Sequence, residues 1–120
     1  MSAAETASAW PYPPEMEGLI AAPKEHHLLF ENDRVQVIDT RIPPGDITPV
    51  HTHRWPGVYY TLQFSHFVRR DDKGKVLYDT RKVEGPIQPT AFLEPLTPHT
   101  VENVGDVDLH VVSVEVKGAA

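Results

Sequence analysis

Short apolar runs separated by clusters of turn residues extend along most of the chain. Runs rich in Val, Ile, Thr and aromatic residues predict strands. Proline, glycine and aspartate mark the turns between them, for example at 43–46, 71–74 and 105–106. The predicted strands cover residues 26–30, 34–42, 47–53, 58–70, 75–81, 91–94, 100–103 and 109–117. This pattern predicts an all-β, antiparallel protein with two packed sheets or a closed barrel.

The last predicted strand has the clearest alternation of apolar and polar positions. Val112, Val114 and Val116 alternate with Ser113 and Glu115. Because successive side chains of a strand point to opposite faces, the valines are predicted to face the core and the polar pair to face outward.

The N-terminal 25 residues differ from the rest, since alanine, serine and proline dominate them. Proline disfavours helix and central strand, so residues 1–25 are predicted to form an arm ahead of a barrel domain at 26–120. A helical turn is predicted at 18–22, ended by Pro23. Trp10 and Tyr12 are expected to cover apolar surface on their own barrel or on a neighbouring subunit, or else to close a ligand pocket.

Composition narrows the class of function. The chain of 120 residues fits one domain, and its net charge of −6 without a basic stripe argues against nucleic-acid or anionic-membrane partners. It has no cysteine, which excludes disulfides and thiolate chemistry. No signal peptide or membrane-spanning run is visible, so a cytoplasmic protein with a small-molecule ligand is expected.

Histidines supply the candidate chemistry. His51 and His53 stand two residues apart in a predicted strand, so they share one face and can grip a transition metal together. His99, from a distant strand, offers a third ligand. Taken alone, the first pair is equally compatible with two surface histidines.

These histidines lie in two motifs that resemble those of the cupins. Gly45, five residues, His51, one residue and His53 match the start of the first cupin motif. His99, three residues and Asn103 match the end of the second. The resemblance implies a jelly-roll barrel rather than an immunoglobulin-like sandwich, and it also implies a homodimer. It further implies a metal held by His51, His53 and His99, with Asn103 tying the local turn.

One departure changes the expected site. The family pattern has a glutamate ligand three or four residues after the second histidine, where this chain has Gly57 and Val58. A site of three histidines remains, similar to that of some cupin dioxygenases, and it suits iron, zinc, nickel or manganese. Glycine in place of glutamate is expected to leave space beside the metal.

Further residues are weaker candidates. If the missing glutamate corresponds to Gly57, then Tyr59, Thr61 and Gln63 face the pocket; if it corresponds to Val58, then Tyr60 and Leu62 do. Tyr59, Gln63 and His66 are therefore candidate catalytic residues, although a lone histidine such as His66 is more often packed or solvated. His26 and His27 are expected near a sheet edge with a structural or solvated role.

The expected function is metal-dependent chemistry on a small organic acid or carbonyl compound, of dioxygenase, isomerase or hydrolase type. The alternatives are a non-catalytic module that binds or senses a small molecule, and a barrel kept for assembly with an empty site. The fold hosts many reactions, so the sequence does not identify the substrate.

Overall fold

Two antiparallel sheets form the molecule. The structure is a computed structural model that describes residues 10–118. Its five-stranded sheet has the order β1-β2-β8-β3-β6, and its three-stranded sheet has the order β5-β4-β7. The strands are β1 His26–Glu31, β2 Val35–Ile42, β3 Gly57–Gln63, β4 Phe67–Asp71, β5 Val76–Asp79, β6 Thr90–Leu93, β7 His99–Asn103 and β8 Leu109–Val116. The all-β, antiparallel prediction is confirmed.

Two predicted strands differ from the observed ones. The long run at 58–70 is divided into β3 and β4, because Ser65 turns inward between them and donates a hydrogen bond to Asn103 Oδ1 at 2.8 Å. The run at 47–53 is no continuous strand. It makes only isolated bridges within residues 10–118, from Ile47 and His51 to β7 and from Thr52 to Glu17. Pro49 has no N–H to donate to a continuous ladder with β7.

The predicted orientation of β8 is wrong. Leu109, Ser113 and Glu115 are buried on the inner face, whereas Val114 is 36% exposed on the outer face. The prediction assumed an apolar interior. Here the interior next to the second half of β8 is polar, and Glu115 finds hydrogen-bond partners there.

Asn103 joins three segments of the chain, as the motif resemblance implied. Its Nδ2 donates to the carbonyls of Ile42 at 2.7 Å and Val107 at 2.8 Å. Its Oδ1 accepts from the N–H of Gly105 at 2.9 Å as well as from Ser65. These bonds fix the end of β7 relative to β2 and to the turn before β8.

The segment before β1 packs against its own barrel. It contains a 3-10 turn at Pro14–Met16 and the short helix α1 at Gly18–Ala21, where a helical turn was predicted. The N–H of Gly18 donates to the carbonyl of Thr52 at 3.1 Å, and the indole N–H of Trp10 donates to Thr52 Oγ1 at 3.3 Å. Arm residues 1–9 lie outside the described residues. Within 10–118, no helix has the length and apolar character needed to cross a membrane.

Candidate metal centre

A cavity of about 400 Å³ lies between the two sheets, a size suited to a small molecule. Side chains from both sheets and from the loops line it. Its polar wall contains four histidines, one arginine and several hydroxyl groups. Most of the rest is apolar, with residues such as Phe64, Phe67, Ile87, Leu93, Leu96, Val101, Leu109 and Val111.

The four histidines of the cavity come from three parts of the chain. His26 begins β1, His51 and His53 belong to the segment between β2 and β3, and His99 begins β7. All four are buried. The predicted ligands His51, His53 and His99 therefore lie together, and the structure places His26 beside them.

The hydrogen bonds of the four rings assign each Nδ1 to an acceptor. Backbone carbonyls lie opposite Nδ1 of His26, His51 and His99, at 3.0, 2.8 and 2.7 Å. A carboxylate oxygen of Glu115 lies 3.0 Å from Nδ1 of His53. Each Nδ1 therefore carries a proton, and in the neutral form of each ring Nε2 keeps the lone pair that a metal requires.

Ring distances define a compact cluster, called the histidine cluster below. The ring centroids of His51 lie 4.7 Å from His26, 5.1 Å from His53 and 4.5 Å from His99. The ligating nitrogens of His26, His51 and His53 are within 4.8 Å of one another. In a metal site such nitrogens lie about 2.1 Å from the ion. Small side-chain movements would bring them to that distance.

Burial keeps the imidazoles of His26, His51 and His99 neutral. Desolvation lowers the pKa of His26 to about 4 and that of His99 to about 3. Desolvation, reinforced by the neighbouring His53, lowers the pKa of His51 in the same direction. Neutral imidazole is the form that binds metals, so at neutral pH no proton has to be displaced from these three rings.

A carboxylate is present, but not where the family pattern has one. Gly57 is paired with Glu115 across β3 and β8. A Cβ on Gly57 would lie 2.7 Å from the carbonyl oxygen of Val114, so the expected space beside the metal does not exist. Instead Glu115 accepts from His53, and its second oxygen accepts from Gln36 Nε2 at 2.9 Å. Hydrogen-bonded carboxylates of this kind orient metal-binding histidines.

The sequence analysis missed His26 and Glu115. β1 is an edge strand, as expected, but His26 is 5% exposed because the bend after α1 turns its ring toward His51 and His53. Gly18 leaves room for this packing, since a Cβ there would lie 3.0 Å from the His53 ring. No sequence spacing predicts this contact. The available clue was that His26 follows three residues after Pro23, which ends the predicted helical turn.

Only some of the weaker candidate residues line the cavity. Tyr59 and Thr61 line the cavity, which agrees with the Gly57 register. Gln63 is exposed outside it, because a bulge after Thr61 interrupts the alternation of β3. His66 is also exposed, and its Nδ1 lies 2.9 Å from Thr80 Oγ1. Of the three candidate catalytic residues, only Tyr59 reaches the histidine cluster, with its ring 6.2 Å from that of His53.

Comparisons with known proteins agree on the fold. A cupin domain from Bordetella pertussis superposes with a TM-score of 0.61 and 23% identity, covering 77% of this chain and 91% of that one. An RmlC-like cupin with a double-stranded β-helix from Methanocaldococcus jannaschii gives a TM-score of 0.57 and 13% identity, with 78% and 79% covered. A protein with a double-stranded β-helix domain from Klebsiella pneumoniae gives a TM-score of 0.57 and 18% identity, covering 95% of this chain and 89% of that one.

Sequence comparisons are less informative. An uncharacterized protein of Methanocaldococcus jannaschii is 25% identical over 96 residues, 80% of this chain and 71% of that protein. No family model matches the chain. The solved structures nevertheless show that the chain has the fold of cupin proteins, the double-stranded β-helix.

Proposed function

We propose that this protein binds a divalent transition metal at the histidine cluster and uses it on a small organic acid or carbonyl compound. One observation carries the proposal: four buried histidines share a cavity, and each has its Nδ1 bound to an acceptor. An imidazole donor set suits iron, zinc, nickel or manganese. The bound metal would act as a Lewis acid on a ligand oxygen.

The chain's own residues would hold and orient the ligand. The histidines fix the position of the ion, and Glu115 fixes the ring of His53. Burial raises the pKa of Tyr59, so its hydroxyl keeps its proton and can donate to a ligand oxygen. The apolar walls exclude water from the remaining ligand surface.

Metal content tests the proposal directly. The untagged protein is expected to carry about one equivalent of metal by mass spectrometry, and His51→Ala is expected to lose most of it, since the central ring of the cluster is removed. His27→Ala is the matched control, because His27 neighbours His26 but is exposed. A parent protein that holds no metal and takes up no added iron, zinc, nickel or manganese contradicts the proposal.

The same measurement chooses between two ligand sets. The sequence motif favours His99 as the third ligand, whereas nitrogen proximity favours His26. Metal affinity should fall in His26→Ala and His99→Ala alike if all four rings bind. A loss in only one of them identifies the third ligand.

The second candidate function is a module that binds or senses a small molecule without turnover. Among the described lining residues none is aspartate or glutamate. The described lining therefore offers no carboxyl group to act as a general acid or base. Thermal stabilisation by a ligand, without turnover by the metal-loaded protein, would favour this module.

A row of outward apolar side chains supports the expected homodimer. One outward-facing residue on each strand of the five-stranded sheet lies directly opposite the next one on the neighbouring strand, so the five form a continuous line across the sheet. The members of this outer row are Phe30, Val37, Val114, Val58 and Phe92. Phe92 is 58% exposed and Phe30 54%. We infer that a second copy of the chain covers the row, in a cytoplasmic homodimer.

A further inference from the structure

Arg69 is a half-buried cation of the cavity, and no carboxylate within residues 10–118 forms an ion pair with it. It lies in the middle of β4 and lines the cavity. Its Nε is buried and has no hydrogen-bond partner within residues 10–118. Its guanidinium carbon lies 5.9 Å from the Phe67 ring and 5.8 Å from the Tyr78 ring. Aromatic contacts of this kind offset only part of the cost of removing a charge from water.

The neighbouring Arg70 shows the usual alternative. It points to the other face of β4, and its Nη1 donates to Glu102 Oε1 at 2.7 Å. Arg69 has no such carboxylate, and burial lowers its pKa. Arginine nevertheless stays charged in proteins, so this cation remains in the cavity wall at any working pH.

Strand pairing places Arg69 close to the histidine cluster. Arg69 is opposite Val101 on β7, and Val101 is two residues from His99 on the same face. Diagonal neighbours of this kind lie about 7 to 8 Å apart at the backbone. The charge of Arg69 also contributes to the lowered pKa of His99. One small ligand can therefore reach both Arg69 and the cluster.

The charge of the cavity is opposite to that of the molecule. The chain carries a net charge of −6, yet the described cavity lining contains Arg69 and no carboxylate. We propose that Arg69 binds the carboxylate of a small organic acid whose other end, an oxygen donor, lies at the histidine cluster. The assignment rests on the proposed function and adds the group that selects acids over neutral carbonyl compounds.

The rest of the lining restricts the acid further. An unpaired Nε–H beside an Nη–H forms a fork that fits the two oxygens of a carboxylate. The cavity walls include the rings of Tyr59, Phe64, Phe67 and Tyr78. The ligand class is therefore a monocarboxylic acid with an apolar, flat or short aliphatic body and an oxygen at the far end.

Calorimetric binding of matched probe pairs tests the inference. The probes are para-hydroxybenzoate and levulinate, each beside its neutral amide, with metal-loaded and with chelator-treated protein. The parent protein should bind at least one of the acids roughly 10- to 100-fold more tightly than its amide, as expected for charge-assisted hydrogen bonds. Arg69→Met should abolish that preference, and Arg69→Lys, which keeps the charge without the fork, should reduce it.

Arg70→Met is the matched control: it removes the same charge from the other face of β4 and should leave the preference intact. A parent that shows no preference for either acid, or an Arg69→Met protein that keeps it, overturns the inference. An Arg69-dependent preference in a protein that binds no metal supports the inference while refuting the metal proposal. Metal binding without any preference for an acid over its amide supports the metal proposal and overturns the inference about Arg69.

Discussion

At the scale of single residues, Gly57 and Glu115 together explain how this chain departs from the cupin motif that it resembles. The two residues face each other across β3 and β8, and the close approach of β8 leaves no room for a side chain at position 57. The carboxylate comes from the neighbouring strand β8 and accepts a hydrogen bond from His53. In the proposed metal site this carboxylate would position a ligand rather than bind the ion.

Replacing that carboxylate should weaken metal binding more than folding. Glu115→Gln keeps the size but loses the charge that orients His53, so metal affinity should fall about 10- to 100-fold. Unfolding by denaturant should change by less than about 1 kcal/mol, because the Gln36 amide can turn over so that its oxygen accepts from the new NH2 group while the new amide oxygen accepts from His53. Competition titration with a chelator measures the affinity.

Glu102→Gln is the control for this substitution, since Glu102 pairs with Arg70 away from the cavity. Unchanged metal affinity in Glu115→Gln, or an equal loss in Glu102→Gln, would contradict the positioning role.

Residue identity could be predicted only where spacing determines it. His51 and His53 follow from alternation along one segment, and His99 follows from the second motif. His26 and Glu115 depend on which strands become neighbours, which no local pattern encodes. Glutamate is rarely buried, and a buried polar side chain needs hydrogen-bond partners. The partners of Glu115 and the rings packed against His26 come from distant parts of the chain, so the burial of these two residues could not be predicted.

At the scale of elements, the Asn103 side chain positions the end of β7 and therefore helps to position His99 at its start. Its amide satisfies two carbonyls and accepts two donors in a buried place. The strands themselves were well predicted from apolar runs and turn residues. The exceptions were 58–70, which is divided into β3 and β4, and 47–53, where a proline interrupts the ladder. The face of β8 was also wrong, because buried polar groups there break the usual alternation.

Removing the Asn103 amide should therefore be costly. Asn103→Ala leaves several buried groups without partners and should lower the free energy of unfolding by about 3 kcal/mol. Chemical denaturation measures it. Asn32→Ala is the control, since Asn32 also accepts two backbone N–H groups but in an exposed turn, and it should cost less than about 1 kcal/mol. Similar losses in both variants would show that burial is not the deciding factor.

At the scale of the whole molecule, the five-stranded sheet has two different faces. The inner face lines the cavity and supports the histidine cluster, and the outer face bears the outer row of apolar side chains. The sequence predicted that one face of β8 would be apolar and buried. It did not predict that Val114 would lie on the outer face, away from the core.

A charge in the outer row should separate the copies. The parent is expected to be a dimer by light scattering after gel filtration, and Phe92→Glu should be a monomer, because the charge would be buried against apolar neighbours in the interface. Val76→Glu, on an exposed strand of the other sheet, should remain a dimer. A monomeric parent, or a dimeric Phe92→Glu, would refute the interface.

The two different faces of the five-stranded sheet also limit which insertions and deletions the chain can accept. Residues of the outer row directly adjoin residues of the inner face in the sequence, as Val58 adjoins Gly57 and Val114 adjoins Glu115. Deleting or inserting one codon within β8 would exchange the two sets, turning the glutamate outward and a valine toward His53. We therefore expect this lineage to accept substitutions in β8, while length changes are confined to the turns.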